Sequence, residues 1–223
     1  MPIGFRICER TRKVDAQTVE GFRALPVANV SDAMSRMAAG GSRLRPLHAG
    51  GVLAGPAITV KARPGDNLML HKALDMADPG DVVVVDAGGD LTNALIGELM
   101  IAHAQTRGLA GIVINGAVRD LAAIRAGTFP IFAAGVTHRG PYKDGPGEIN
   151  VNIAIDGMVI APGDLILGDD DGLVVVPFEE TETVFAAASA KHKAETAQMA
   201  QIRGGGQDRS WVDATLKRLG CAV

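Results

Sequence analysis

The sequence predicts a single α/β domain built mainly from parallel βαβ units, with an antiparallel portion and a long C-terminal helix. Its 223 residues, 47% hydrophobic and 21% charged, are typical of a globular chain with one large core. The middle of the chain alternates strand-like and helix-like runs, and short connections favour right-handed crossovers. Glycine and proline turns follow Gly135. We expect the domain to span residues 1–203 and a tail to span 204–223.

The first βαβ unit begins at residues 57–63, where apolar and polar residues alternate as in a strand. Residues 66–77 carry an apolar stripe at helical spacing, and Pro79-Gly80 ends that helix. Residues 81–86 form a β-branched run of the kind found in buried parallel strands.

A helix follows the glycine loop at residues 87–90 and ends near Arg107, but its start has two interpretations. Apolar spacing lets it begin at Asn93, a residue type that caps helices well. A site that uses free backbone amides at Gly97 requires a start near Gly97 instead. The sequence alone leaves both interpretations open.

The remaining elements follow from the same patterns. Further parallel elements are a strand at 111–115, a short helix at 120–126 and a strand at 129–134. Turn signals then separate short strands at 150–155, 158–161, 164–167 and 173–176, which predict the antiparallel portion. An alanine-, glutamate- and lysine-rich helix runs over 179–203, three glycines end it, and a short helix spans 210–219.

Composition and charge argue against nucleic-acid-binding, membrane-spanning and secreted proteins. A formal net charge of −3 gives no electrostatic reason to expect a nucleic-acid partner. No stretch approaches the roughly 18 uncharged apolar residues of a membrane-spanning helix, and the first residues lack a secretory signal. Cys8 and Cys221 are expected to be reduced thiols, although one disulfide between them is conceivable. We therefore expect a cytoplasmic protein with no membrane partner.

Two polar segments follow neighbouring strands of the predicted sheet. Glu98 lies at or near the start of the helix after strand 81–86, and Arg119 and Asp120 follow strand 111–115. Carboxyl ends of parallel strands form the edge where open α/β sheets bind ligands, so these segments can share one pocket. An ordinary surface ion pair or helix cap is the alternative for Arg119 and Asp120.

The residue types in this pocket suit a small 2-oxo acid. Arg119 can hold a carboxylate or an enolate oxygen with its planar guanidinium, and free amides near Gly97 can hold the other anionic end. Asp120 offers hard oxygen to Mg²⁺ or Mn²⁺, which needs few protein ligands. Glu98 can move a proton, directly or through water.

The motifs Gly97-Glu98-Leu99-Met100 and Gly116-Ala117-Val118-Arg119-Asp120, at this separation, resemble those of one family. It holds the class II 4-hydroxy-4-methyl-2-oxoglutarate aldolases/oxaloacetate decarboxylases and the related regulator of ribonuclease E activity A. Further segments agree with it, namely Val30-Ser31-Asp32-Ala33-Met34, Gly55-Pro56-Ala57, Asp66-Asn67, Val84-Val85-Asp86, and Gly168-Asp169-Asp170-Asp171-Gly172 before Val174-Val175-Val176-Pro177. The resemblance covers roughly residues 25 to 200.

The resemblance implies a fold, an assembly and roles for individual residues. The fold would be an αββα arrangement similar to the swivelling phosphohistidine domain, in a homotrimer or a dimer of trimers with sites between subunits. Arg119 matches the substrate-binding arginine, Asp120 matches the metal-site aspartate, and residues 97–100 match the loop whose amides hold the substrate. Glu98 stands where studied aldolases carry aspartate. Glu195 matches a glutamate that reaches the metal from a neighbouring subunit; a solvated helix residue is the alternative interpretation.

Other chemically suggestive residues have simpler interpretations. Asp169-Asp170-Asp171 is more typical of a tight turn than of a metal site, and Gly88-Gly89 lacks the remaining residues of a nucleotide loop. Lys61 offers a Schiff-base alternative, although a lysine in a strand is usually just exposed. His103 and His138 are interpreted as packing or surface residues.

These observations predict a class II lyase that depends on Mg²⁺ or Mn²⁺. It would cleave a 4-hydroxy-2-oxo acid, release pyruvate through an enolate stabilised by Arg119 and the metal, and decarboxylate oxaloacetate through the same enolate. The alternative is a non-catalytic regulator that acts through protein contact, like the ribonuclease E inhibitor. Asp120 discriminates the two, because the regulator branch tends to lack an acid there.

Overall fold

The computed structural model describes residues 2–38, 40 and 42–222. Most of its strands join one mixed sheet around which the helices pack. The strands are β1 (Phe5–Ile7), β2 (Arg45–Pro46), β3 (Leu53–Ala62), β4 (Val82–Asp86), β5 (Ala94–Ile96), β6 (Gly111–Val118), β7 (Ile131–Val136), β8 (Gly147–Ile149), β9 (Ile153–Ile155), β10 (Met158–Ile160), β11 (Leu165–Asp169) and β12 (Gly172–Val176). The helices are α1 (Ala16–Arg23), α2 (Val27–Ala33), α3 (Leu68–Met76), α4 (Glu98–Thr106), α5 (Leu121–Ala126), α6 (Thr181–Arg203) and α7 (Ser210–Arg218), with a 3-10 turn at Phe178–Glu180.

The predicted parallel core is confirmed. Strands β3, β4, β6 and β7 lie side by side in that order and run parallel. Helices α3, α4 and α5 connect them along the chain. Strand β4 explains why β-branched runs form the centre: Val83 and Val85 enter the core on one side of the sheet, while Val82 and Val84 enter the core on the other.

The predicted antiparallel portion is also confirmed. Strand β9 pairs with β10, and β11 pairs antiparallel with both β12 and β3. Asp169 ends β11, and Asp170 and Asp171 form the turn to β12, where Asp169 Oδ1 accepts the Asp171 amide at 3.0 Å. The other oxygen of Asp169 accepts the Val27 amide at the start of α2, so this residue serves the fold.

The observed start of α4 decides between the two interpretations, a helix that begins at Asn93 and one that begins near Gly97. The helix begins at Glu98, and Ala94–Ile96 form β5, which pairs with β6. A start at Asn93 is therefore wrong. The Asn93 amide donates to the Gly140 carbonyl at 2.5 Å, so it ties down a distant loop instead of capping a helix. Strand β6 continues to Val118, three residues past the predicted end at residue 115, because β5 and β7 both pair with this extension.

The N-terminal quarter and the long helix build a third core. Residues of α1, α2 and α6 pack there against β11 and β12, with Phe22, Val30 and Val184 among the buried side chains. Within α6, Val184 and Ala188 are buried, whereas α7 buries no residue. Cys8 and Cys221 are free thiols, as expected. Among the described residues, no helix combines the length and apolarity needed to cross a bilayer.

Candidate active site

The start of α4 and the end of β6 meet at one point on the sheet edge. The Arg119 amide donates to the Ile96 carbonyl at 2.9 Å, which holds the two chain segments together. The carboxylate of Asp120 then reaches across and accepts the Glu98 amide through Oδ2 at 2.9 Å. The backbone of Glu98 therefore lies against Arg119 and Asp120, and the chemical roles of the three residues remain predictions.

Asp120 adopts a conformation that leaves part of its carboxylate available. Its backbone is left-handed, with φ 60° and ψ 39°, and its side chain does not cap its own helix α5. Instead Oδ2 holds the first amide of α4, and Arg119 Nε lies 3.7 Å from the same oxygen. Oδ1 has no hydrogen-bond or ion-pair partner among the described residues. One carboxylate oxygen is thus free to bind a cation or a ligand.

The close approach of Asp120 and Arg119 to the start of α4 requires a glycine at position 97. A Cβ atom at position 97 would lie 2.2 Å from Asp120 Oδ2 and 3.0 Å from Arg119 Nε. The backbone of Gly97 is extended, with φ −149°, so glycine serves here to leave space rather than to permit a left-handed conformation. The glycine of the first motif thus lets both side chains pack over the helix start.

A cavity of about 280 Å³ opens beside these groups and is lined by Arg119, Asp120, Val136, Thr137 and His138. The last three residues belong to the end of β7 and the loop after it, which the sequence interpretation did not include in the site. Because β7 lies next to β6, its carboxyl end reaches the same edge. A larger cavity of about 570 Å³ between α1 and α6 is lined by Asp15, Thr18 and Glu182 but by no cationic side chain.

The loop at residues 97–100 offers fewer free amides than expected. The Glu98 amide is engaged by Asp120, and the Met100 amide donates to the Gly97 carbonyl at 3.1 Å. The amides of Gly97 and Leu99 have no acceptor in the described part of the chain. The side chain of Leu99 is 84% exposed, whereas that of Met100 packs on the core. An anion would therefore meet two free amides here.

Buried polar side chains and backbone hydrogen bonds fix the segments around the site. Asn67 donates to the Leu95 carbonyl at 2.8 Å, directly before the Gly97 loop. The Ala94 amide donates to the Arg139 carbonyl at 2.8 Å, and Asp66 accepts the amides of Asp144 and Gly145. The sequence marked Asp66 and Asn67 only as part of a motif. Their contacts assign them to positioning the loop at residues 137–145 and the start of α4.

Glu195 lies in a different cluster of its own chain. Its carboxylate accepts the Asn29 amide at 2.6 Å and pairs with Lys191 at 3.1 Å, and Lys191 in turn pairs with Asp32. Over the ranges that the structure describes, no group of three or more His, Cys, Asp or Glu side chains is placed to hold a metal. Within one chain, therefore, the structure does not bring Glu195 to Asp120.

This cluster predicts a pH-dependent contribution of Glu195 to stability. The Asn29 hydrogen bond, followed by that from Lys191, lowers the pKa of Glu195. A lowered carboxyl pKa stabilises the fold at neutral pH, and this contribution is lost as the pH falls through the lowered value. We expect Glu195→Gln to unfold at slightly lower urea concentration at pH 7, with the difference shrinking under acid. Glu182→Gln, an exposed change on the same helix, is the control, and a pH-independent difference would contradict the assignment.

Lys61 does not belong to the candidate site. It is exposed on β3, in register with Asp86 of β4 and Glu148 of β8. It does not line the cavity beside Arg119. The geometry gives no support to a Schiff-base role at this cavity.

Comparison with known proteins agrees with the motifs. The family model described as "RraA-like: Aldolase/RraA" matches residues 27–175. A curated protein of Halalkalibacterium halodurans, provisionally named 4-hydroxy-4-methyl-2-oxoglutarate aldolase, is 43% identical over 177 residues, which is 79% of this chain and 84% of that protein.

Solved structures show the same fold. An uncharacterized protein from Pseudomonas syringae pv. tomato superposes with a TM-score of 0.80 at 27% identity, covering 90% of this chain and 94% of that one. The RNA-processing inhibitor RraA from Thermus thermophilus superposes with a TM-score of 0.63 at 31% identity, covering 68% and 92%. The residues matched by the family model include every motif around Arg119 and Asp120. The chain therefore belongs to the RraA-like family, which unites aldolases and RraA proteins.

Proposed function

We propose that the protein is a divalent-metal-dependent lyase. It cleaves a carbon–carbon bond of a 4-hydroxy-2-oxo acid, releases pyruvate and also decarboxylates oxaloacetate. The observation that carries this proposal is that the Arg119 guanidinium and the Asp120 carboxylate, whose Oδ1 is free among the described residues, line the same cavity. The aldolase name of the H. halodurans relative supports the same class of reaction.

Arg119 is proposed to bind the pyruvyl end of the substrate. Its side chain is 44% exposed and its Nε contacts the Asp120 carboxylate, so its terminal nitrogens remain available to a ligand. A guanidinium binds a carboxylate or an enolate oxygen through two parallel hydrogen bonds. The free amides of Gly97 and Leu99 lie on the adjacent turn and add donors for an anionic group.

The donor set beside Arg119 fits Mg²⁺ or Mn²⁺. Such ions bind to proteins through one or two carboxylates and take their other ligands from water and substrate. Asp120 Oδ1 would hold the ion, and Glu195 of a neighbouring subunit is proposed as an additional ligand in a homotrimer or a dimer of trimers. When bound, the ion would supply positive charge that stabilises the enolate.

The side chains account for the proton and electron movements. In retro-aldol cleavage, Glu98 accepts the proton of the 4-hydroxyl through a water molecule, and a new carbonyl forms as the C3–C4 bond breaks. The electron pair of that bond passes to the 2-oxo oxygen, where Arg119 stabilises the enolate. The proton held by Glu98 then returns through water to C3, which yields pyruvate. Decarboxylation of oxaloacetate gives the same enolate without a base, because carbon dioxide leaves instead.

A non-catalytic regulator is the second candidate function. The similarity to the RNA-processing inhibitor RraA of T. thermophilus favours it, since that protein shares the fold. Asp120 separates the candidates: a metal-dependent lyase needs the free carboxylate oxygen, whereas a surface that acts by protein contact does not.

Removal of the metal or of its carboxylate tests the proposal. Pyruvate release from oxaloacetate with Mg²⁺ is expected to fall about 100-fold in EDTA, relative to a protein-free blank. Asp120→Asn is expected to lose activity to a similar extent and to remain folded, because the asparagine oxygen can still accept the Glu98 amide. Asp170→Asn, in the exposed turn after β11, is the control. Equal rates with and without chelator would favour the regulator.

A further inference from the structure

The guanidinium of Arg119 has few direct contacts that hold it in one orientation. Its side chain is 44% exposed, and its one ion-pair contact among the described residues is the 3.7 Å approach of Nε to Asp120. Ordering a long, half-exposed side chain when a ligand binds costs conformational entropy. A guanidinium that binds a ligand well therefore needs a surface that restricts it beforehand.

Two glycines form the surface on which this side chain lies. A Cβ atom at position 97 would lie 2.9 Å from Arg119 Cγ, and a Cβ atom at position 140 would lie 3.3 Å from Nη1. The stem of the side chain therefore passes over Gly97, and one terminal nitrogen lies over Gly140. Gly97 is fixed at the start of α4, whereas Gly140 belongs to the exposed loop after β7. The orientation of Arg119 thus depends on what holds Gly140.

Asn93 holds the peptide unit that follows Gly140. Its side-chain amide donates to the Gly140 carbonyl at 2.5 Å. The next residue is Pro141, which has no N–H group, so this carbonyl is the only hydrogen-bonding group of the peptide unit. The preceding peptide unit is fixed separately, because the Ala94 amide donates to the Arg139 carbonyl at 2.8 Å. Asn93 therefore restrains the part of the loop that the backbone bond leaves free to rotate.

Asn93 is itself fixed by its surroundings. It is 6% exposed and lies directly before β5. A Cβ atom at Gly65 would lie 3.2 Å from Asn93 Oδ1, so the turn at residue 65 packs against this side chain. The Gly65 carbonyl also accepts the Tyr142 amide at 2.9 Å, which ties the same loop to the same turn. A buried amide in this setting gives the loop under Arg119 a fixed position relative to β5.

We propose that Asn93 is a positioning residue for Arg119. Through Gly140 it fixes the surface on which the guanidinium lies, so that the terminal nitrogens are oriented before a ligand binds. The inference rests on the proposed function, in which Arg119 binds the pyruvyl end of the substrate and stabilises the enolate. Asn93 then affects the reaction without touching the substrate, and its effect requires a guanidinium at position 119.

Side-chain NMR relaxation tests the orientation of Arg119 directly. The Nε–H signal of Arg119 is identified by its loss in Arg119→Lys, and its order parameter is measured in the native protein, Asn93→Ala and Thr59→Val. Thr59→Val is the matched control, because it also removes a buried side-chain donor to a backbone carbonyl, that of Val151, without lining the cavity. We expect a value above about 0.6 in the native protein and the control, and a value below it in Asn93→Ala.

Three NMR outcomes would overturn the inference. They are a mobile Nε–H group in the native protein, an unchanged order parameter in Asn93→Ala, and an equal loss of order in Thr59→Val, which would assign the effect to general loosening of the fold.

Kinetics test whether this orientation matters for the reaction. Asn93→Ala is expected to reduce kcat/KM for oxaloacetate with Mg²⁺ about tenfold, because the guanidinium that stabilises the enolate is no longer preorganised. In the Arg119→Lys background the same change should cost less than about twofold, since lysine has no guanidinium to lie over Gly140. A merely structural role for Asn93 would give equal losses in both backgrounds, and that result would overturn the proposal.

Gly140→Ala reaches the same guanidinium without changing Asn93, so the proposal can be tested even if Asn93→Ala does not fold. The new Cβ, 3.3 Å from Nη1, would displace the terminal nitrogen, and we expect kcat/KM to fall about threefold. An unchanged rate would show that Arg119 does not depend on Gly140 and would overturn the inference. A native protein that does not decarboxylate oxaloacetate would contradict the lyase, whereas the NMR comparison would still decide the positioning role.

Discussion

Replacing Arg119 with alanine is expected to reduce oxaloacetate decarboxylation by about 100- to 1,000-fold, the loss typical of one preorganised donor to a developing oxyanion. The fold should tolerate this change. The side chain is half-exposed, and its one charged contact among the described residues is the 3.7 Å approach to Asp120. The backbone amide of residue 119, which holds the Ile96 carbonyl, is present in either variant.

The measurement is pyruvate release from oxaloacetate under saturating Mg²⁺, with circular dichroism and urea unfolding to monitor the fold. Arg119→Lys keeps the charge but loses the planar fork, so we expect it to recover only part of the lost rate. Arg125→Ala, an exposed arginine on α5, controls for the loss of a positive charge nearby. Native turnover in a folded Arg119→Ala variant would refute the proposed role.

The parallel core could be predicted because its strands carry their own signal. A strand buried on both faces is a nearly continuous β-branched run, and Val82–Asp86 has this pattern. Strand β6 begins with a similar run but continues through Gly116 and Ala117, which resemble the start of a turn. Its last residues are strand because β5 and β7 pair with them, a contact between distant segments that local patterns do not encode.

The N-terminal elements depend still more on distant contacts. Strand β2 has two residues and pairs with β7, and β1 has three residues held by β8. Helix α2 has no side-chain hydrogen bond at its N-cap Pro26, and its first amide is instead accepted by Asp169, 142 residues later in the chain. Elements this short have little intrinsic preference, so no local pattern in the sequence could reveal them.

The candidate site was partly predictable for one geometrical reason. The carboxyl ends of neighbouring parallel strands lie at the same edge of the sheet. The proximity of Glu98, Arg119 and Asp120 in the chain fold therefore follows from the strand order. The same rule, applied to the next strand β7, would have placed His138 there too. The bond from Asp120 to the Glu98 amide was not predictable, because it requires a left-handed backbone at an aspartate. The location of Glu195 in its own cluster depended on the packing of α6 against α2.

Gly97→Ala is the second change with a large expected effect, because one methyl group would enter the contact between two site residues. The new Cβ would lie 2.2 Å from Asp120 Oδ2 and 2.9 Å from Arg119 Cγ. Atoms this close must move apart. Asp120 would lose its bond to the Glu98 amide, and Arg119 would shift with it. Misplacing groups at an active site by about 1 Å can cost about 100-fold in rate, and we expect a loss of that order in oxaloacetate decarboxylation.

The effect of Gly97→Ala on stability should be much smaller than its effect on turnover. The backbone at Gly97 is extended and accepts alanine without strain, so the cost comes from the lost cap on α4 and local overpacking, together about 1–3 kcal/mol. Gly127→Ala is the matched control, since a Cβ there would lie 3.8 Å from its nearest neighbours. Urea unfolding and decarboxylation measured on both variants distinguish the two effects. A Gly97→Ala protein with full activity would show that the close packing of Asp120 and Arg119 over the helix start is not needed for the reaction.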